Sequence, residues 1–194
     1  MSKPVIMALD TSKKAGFAVW RTEKHPSSML TGVMQFKDGA SIEYCAGQMG
    51  LKIVALLREH KPDFVIMEES IKTVMKGPSA TIVSNMLHGA VIATCENMHV
   101  LWGTIPVQTW RKMFFGQGFK PPPDKHGKND WKAAAVASCE NAGITIPTQK
   151  TISHNAAEAA AMAYCWRGAE IHTDRDRTRF MELLQRRNDR VEAA

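Results

Sequence analysis

Three carboxylates stand where apolar segments of the chain run out. Asp10 closes the run Pro4 to Asp10, PVIMALD. Glu68 closes Pro62 to Ser70, PDFVIMEES, with Glu69 a second choice beside it. Glu158 lies in SHNAAEAAAMAYCW, Ser153 to Trp166. Burying a lone carboxylate is costly, whereas several at one rim suit a hard divalent cation that takes oxygen ligands. His154 and Asn155 precede Glu158 by four and three residues, spacings that place all three on one face of a helix. A capping role is the plainer alternative, with Ser153 or Asn155 as N-cap and Glu158 at the positive end of the helix dipole.

A second concentration of chemistry follows Thr109. Arg111, Lys112, Lys120, Lys125, Lys128 and Lys132 stand against Asp124 and Asp130, so this window nets +4 of the chain's +6. Trp110, Phe114, Phe115, Phe119 and Trp131 are interleaved with them. Cations among aromatic rings suit a phosphate backbone and exposed bases; a solvated loop with core aromatics would read the same way.

The elements that must position these groups follow from periodicity. Pro4–Asp10, Ala15–Trp20 and Ser28–Phe36 read as a three-stranded meander with short polar turns. Ser41–His60 has a helical apolar face, Pro62–Ser70 reads as a buried strand, Ser79–Met98 as a long helix and His99–Thr104 as a fifth strand. A helix of about two turns starts near Val107, a Gly/Pro-rich loop follows, and a helix from near Lys128 to Asn141 precedes the Ser153 helix. This order implies an α/β fold with a mixed five-stranded sheet flanked by helices. We place one domain over 1–170 and a charged helical tail over 171–194. That tail is either a solvated helix with Phe180, Leu183 and Leu184 as its apolar stripe, or partly frayed.

The 194 residues suit one domain with a sizeable core, and 44% apolar against 23% charged residues excludes a disordered chain. Cys45, Cys95, Cys139 and Cys165 lie too far apart for zinc or redox motifs, which fits a reducing interior. Neither a leader peptide nor a membrane-spanning run is expected, so the expected place is the cytoplasm.

The segments IMALDTSKKAGFAVW, PDFVIMEES and HNAAEAAAMAYCW, in that order and spacing, resemble RuvC-type Holliday junction resolvases, most closely the divergent phage forms; TWRKMFFG, Thr109 to Gly116, resembles the same subgroup. The likeness spans roughly Val5 to Arg167. It implies a ribonuclease H-like fold and a homodimeric endonuclease that nicks four-way DNA junctions with two Mg²⁺ or Mn²⁺ ions. Asp10, Glu68, Asn155 and Glu158 match the metal-holding positions, and His154 is a further ligand or base. Lys128 and Lys132 match the basic residues of the preceding helix. Arg111, Lys112, Lys125 and Phe115 join the expected DNA-binding set, and the helix 79–98 matches the dimer interface.

The sequence departs from the family pattern in several places. Thr11-Ser12 replaces the usual Pro-Gly turn, Asn155 stands where Asp or His is usual, and Glu158 replaces Asp. The loop from Gly116 to Gly127 is also long. A broader nuclease for forks and flaps therefore stays open, as does a binding protein of this fold without cleavage. ALDTS also resembles the opening of actin/hexokinase-like partner proteins of the TsaB type, which need neither the last-helix carboxylate nor the basic loop.

Overall fold

Asp10 ends β1 (Val5–Asp10), which turns back into β2 (Lys14–Arg21) in antiparallel register, Asp10 opposite Gly16. β3 (Leu30–Gln35) continues the meander. A computed structural model describes residues 3–70, 78–149, 151–167 and 174–193, without the side chains of 78–80, 167 and 174–179. The expected domain boundary at 170–171 lies outside the described residues.

Two crossovers then extend the sheet on the other side of β1. α1 (Ile42–His60) leads to β4 (Phe64–Glu68), parallel to β1. α2 (Pro78–Asn97) leads to β5 (Leu101–Ile105), parallel to β4. The sheet order is β3-β2-β1-β4-β5, the mixed five-stranded sheet expected. Helical crossovers are what parallel neighbours require. α1 starts at Ser41, whose hydroxyl accepts from the Tyr44 amide at 3.2 Å, and ends at Lys61 in the left-handed region.

β1 and β4 are central, so both their faces are covered. Met7, Leu9, Val65 and Met67 pack under α1 and α2 with Met49, Ile53, Leu87 and Val91. Ile6, Ala8, Phe64 and Ile66 face α5 (Ser153–Tyr164). Alternation carries Asp10 and Glu68 onto that second face. α5 is nearly all small residues on its inner side, with Ala156, Ala157, Ala159, Ala160, Ala161 and Ala163 fully buried. Small side chains let the helix lie close to the sheet. The closest approach is at Gly16, where an added Cβ would overlap the backbone carbonyl of Asn155. Only glycine fits there, directly across the strand pair from Asp10.

α3 (Val107–Phe115) and α4 (Trp131–Asn141) flank α5. α4 starts later than the sequence suggests. Asp130 caps it through the Ala133 amide at 2.9 Å, while Lys128 lies in the loop, where its amide donates to Asp124 Oδ1 at 2.8 Å. The Asx-type bonds of Asp124 and the pairing of Pro123 with Asn129 hold those residues out of the helix. The C-terminal segment forms α6 (Asp174–Glu192), a helix whose buried Phe180 and Leu183 provide the apolar stripe. Leu183 sits against Gly103 of β5, and Arg187 Nε donates to Asp63 Oδ1 at 2.7 Å. All four cysteines are free and buried.

Candidate active site

β1 and β4 deliver two carboxylates to the same end of the sheet. Leu9 pairs with Met67 in parallel register, so Asp10 and Glu68 follow as neighbours, at the C-terminal ends of adjacent parallel strands. Open α/β sheets bind their ligands at such ends. Both residues are half-buried.

Glu68 is held from two sides. The indole of Trp110, fully buried on α3, donates through Nε1 to Glu68 Oε2 at 3.0 Å. From α2, His88 Nε2 donates to the Glu68 backbone carbonyl at 2.7 Å. The Thr11 hydroxyl lies 2.8 Å from His88 Nδ1, a nitrogen that also lies 3.1 Å from the Ser84 carbonyl. His88 and Thr11 are both buried. One imidazole thus ties the residue after Asp10 to Glu68, and so pins the two strand ends to each other. Neither Trp110 nor His88 stands out in the sequence as a positioning group. The usable signal was that a buried indole N–H and a histidine inside an apolar helix each need a polar partner.

α5 brings the remaining residues. Its N-cap position is Ile152, with no side-chain cap. Capping by Ser153 or Asn155 therefore does not explain the polar first turn. Asn155 is buried above Gly16. One turn on, burial and then the charge of Glu68 push the Glu158 carboxyl up to about 7, against the opposing pull of Arg111 and Lys132. Glu68 and Glu158, ninety residues apart in sequence, therefore interact electrostatically. His154 is held below the usual histidine range, first by burial and then by Lys132 and Lys14, with Asp130 opposing. A neutral imidazole is the form that can take a proton or bind a cation.

Arg111 differs most from its expected setting. Instead of reaching into solvent it turns inward, with Nη2 3.6 Å from Glu158 Oε1. Its guanidinium lies 4.6 Å from the centre of the Trp131 ring and 5.4 Å from that of Trp110, at cation–π range. Its Nε is buried without a hydrogen-bond partner. Lys112, Lys125, Lys128 and Lys132 are exposed. Phe115 is half-buried in an aromatic cluster with Phe114, Phe119, Trp110 and Trp131.

The donor set is oxygen-rich, and one buried carboxyl keeps its proton to about neutrality. A divalent cation beside Glu68 and Glu158 would relieve their repulsion, so the chemistry of these side chains suits such an ion. Among the described residues, no group of three or more His, Cys, Asp or Glu side chains is gathered closely enough to hold a metal ion. The described helices include none long and apolar enough to cross a membrane.

By sequence the chain matches no family profile and no curated protein. Its backbone is similar to solved structures. Thermus thermophilus RuvC in complex with a Holliday junction substrate superposes with TM-score 0.65 at 13% identity, over 84% of this chain and 94% of that one. A second Thermus thermophilus RuvC structure gives 0.60 at 14% identity, over 84% and 96%. The yeast mitochondrial Holliday junction resolvase Ydc2 gives 0.54 at 11% identity, over 86% and 80%. The fold is that of RuvC, the ribonuclease H-like sheet with its flanking helices.

Proposed function

We propose that this chain is a RuvC-type resolvase, a divalent-metal-dependent endodeoxyribonuclease that cuts four-way DNA junctions by paired nicks. The observation that carries the reading is that Asp10 and Glu68 end adjacent parallel strands, with Glu158 near enough to feel the charge of Glu68, at one end of a RuvC-like sheet. That the first of these similar structures holds a Holliday junction substrate supports the choice of DNA.

Two Mg²⁺ or Mn²⁺ ions held by Asp10, Glu68 and Glu158, with Asn155 or His154 completing the set, would supply water activation and charge neutralisation at the phosphate. The chain's own residues do the rest. Asp10 and Glu68, fixed by the sheet, would hold their oxygens in place for those ions. Trp110 and His88 keep Glu68 from turning away. The neutral ring of His154 is available to accept the proton of the attacking water. Arg111 is the cation closest to Glu158 and balances negative charge gathering there. The water oxygen bonds to phosphorus, the bond to the 3′ oxygen breaks and that oxygen takes a proton from solvent, leaving a 5′-phosphate and a 3′-hydroxyl. Lys112, Lys125, Lys128 and Lys132 grip neighbouring phosphates, so binding weakens as salt rises.

The reading includes a homodimer formed through α2. That helix spends Leu87, Val91 and Cys95 on the core and leaves Ile82 54% exposed. A dimer places two sites on one junction, which paired nicks require.

The experiment is a substrate comparison. The protein is incubated with a four-way junction, a Y-fork and linear duplex, each with Mg²⁺ and with EDTA, and nicks are mapped. Symmetric nicks confined to the junction and abolished by EDTA support the proposal. Equal cutting of forks would make it a broader branch nuclease, and no cutting of any DNA would overturn it.

A further inference from the structure

Between α3 and the loop that follows it lies a cavity of about 420 Å³. Its walls include Trp131, Phe119, Arg111, Gln108 and Gln117. The aromatic side is built firmly. The Phe119 ring stacks on Phe115, centres 4.7 Å apart and planes 12° apart, and Phe115 packs on Trp131 at 5.6 Å. Phe119 remains 38% exposed, so ring surface is left for a ligand. The loop reaches this shape through Gly116 and Gly118, at φ +91° and +80°. A Cβ on either would meet nothing within 4 Å, so glycine is required there by backbone conformation rather than by space.

The chemistry of these walls is selective. Flat rings offer stacking faces, and two amide heads each offer a donor and an acceptor. Arg111 joins the cavity to the carboxylates, because the same side chain lines the cavity and pairs with Glu158 at 3.6 Å. A nucleobase has the matching features: a π face, polar edges and an attached phosphate. We propose that the cavity receives one unstacked nucleobase of the bound DNA, next to the phosphate to be cut at the end of the sheet where Asp10, Glu68 and Glu158 lie. This inference rests on the nuclease reading and adds to it a source of substrate choice. Extruding a base costs least where it already lacks a stacked neighbour. A branch point offers such a base and continuous duplex does not, so a pocket that must be filled favours branched DNA.

The test measures binding of a four-way junction and of copies carrying one abasic site at each nucleotide flanking the crossover. Wild type is compared with Phe119→Ala, and with Gln117→Ala as a second variant on the exposed loop; thermal melts confirm that each is folded. At one position, loss of the base is expected to weaken wild-type binding about tenfold, the scale of one base stacked on an aromatic ring. Phe119→Ala should lose a similar factor on the intact junction and be indifferent to the abasic site at that position, and Gln117→Ala should show a smaller loss and a correspondingly smaller penalty from the same abasic site. Wild-type binding that ignores every abasic site overturns the pocket alone, as do losses that multiply in both variants. Failure of the wild type to bind any junction overturns both the pocket and the nuclease reading.

Discussion

Trp110 Nε1 donates to Glu68 Oε2 at 3.0 Å, from a fully buried ring on α3 to the last residue of β4. The bond joins the helix that starts the basic, aromatic region to the strand that ends in a carboxylate. It also leaves Glu68 fewer orientations. Trp110→Phe keeps most of the ring and removes the donor. We expect a stability loss of about 1.5–3 kcal/mol, the range for a hydrogen bond to a charged group, and a fall in cleavage rate larger than the fall in junction affinity. Urea unfolding and single-turnover nicking separate the two, and unchanged nicking would show that Glu68 needs no such support.

Gly16 is the point at which α5 touches the sheet. Gly16→Ala forces a methyl group into the Asn155 carbonyl, and backbone on both sides leaves little room to give. A cost of about 1–3 kcal/mol is expected from overpacking, together with impaired cleavage because the first turn of α5 moves. A variant as stable and active as wild type would mean that α5 can slide without consequence.

Stability of the metal-free protein should depend on pH through Glu158. Its folded pKa is raised to about 7 from 4.5, so the folded state favours the protonated carboxyl. This contribution is fully present below the unfolded value and is lost as pH rises through about 7. Melting temperature in EDTA should therefore fall between pH 5 and pH 8. Glu158→Gln should flatten that trend, and Mg²⁺ should raise the melting temperature at pH 8 more than at pH 5. Glu68, Arg111 and Lys132 all act on the carboxyl, so Arg111→Gln should steepen the loss. An equal pH response in wild type and Glu158→Gln would remove this explanation.

α2 is expected to pair with its copy. Ile82→Asp places a charge on the exposed face of that helix, outside the core formed by Leu87 and Val91. The expected outcome is a monomer by sedimentation that binds junctions weakly and makes unpaired nicks. A variant that stays dimeric would direct the search to another face.

How much of this was legible in the sequence depended on whether a residue's role was local or long-range. The strands ending in Asp10 and Glu68 were visible because apolar runs stop abruptly, and alternation gave their face. The alanine-rich helix was visible for the same reason. The start of α4 was not, because Asp124 and Asp130 compete for backbone amides and delay the helix to Trp131. Arg111 looked like one more cation of a basic loop. Its inward turn is set by Trp131, twenty residues away, and by Glu158 on another helix. His88 and Thr11 meet across 77 residues of sequence. Such pairings are products of tertiary structure and leave no periodic trace.

The most direct measurement is nicking of a labelled four-way junction by wild type and Asp10→Asn in Mg²⁺, with junction affinity measured in parallel. The account expects paired nicks from wild type, none from Asp10→Asn, and similar affinity for both. Nicking by Asp10→Asn at the wild-type rate would contradict it, because the strand-end carboxylates would then not be where the phosphodiester is cut.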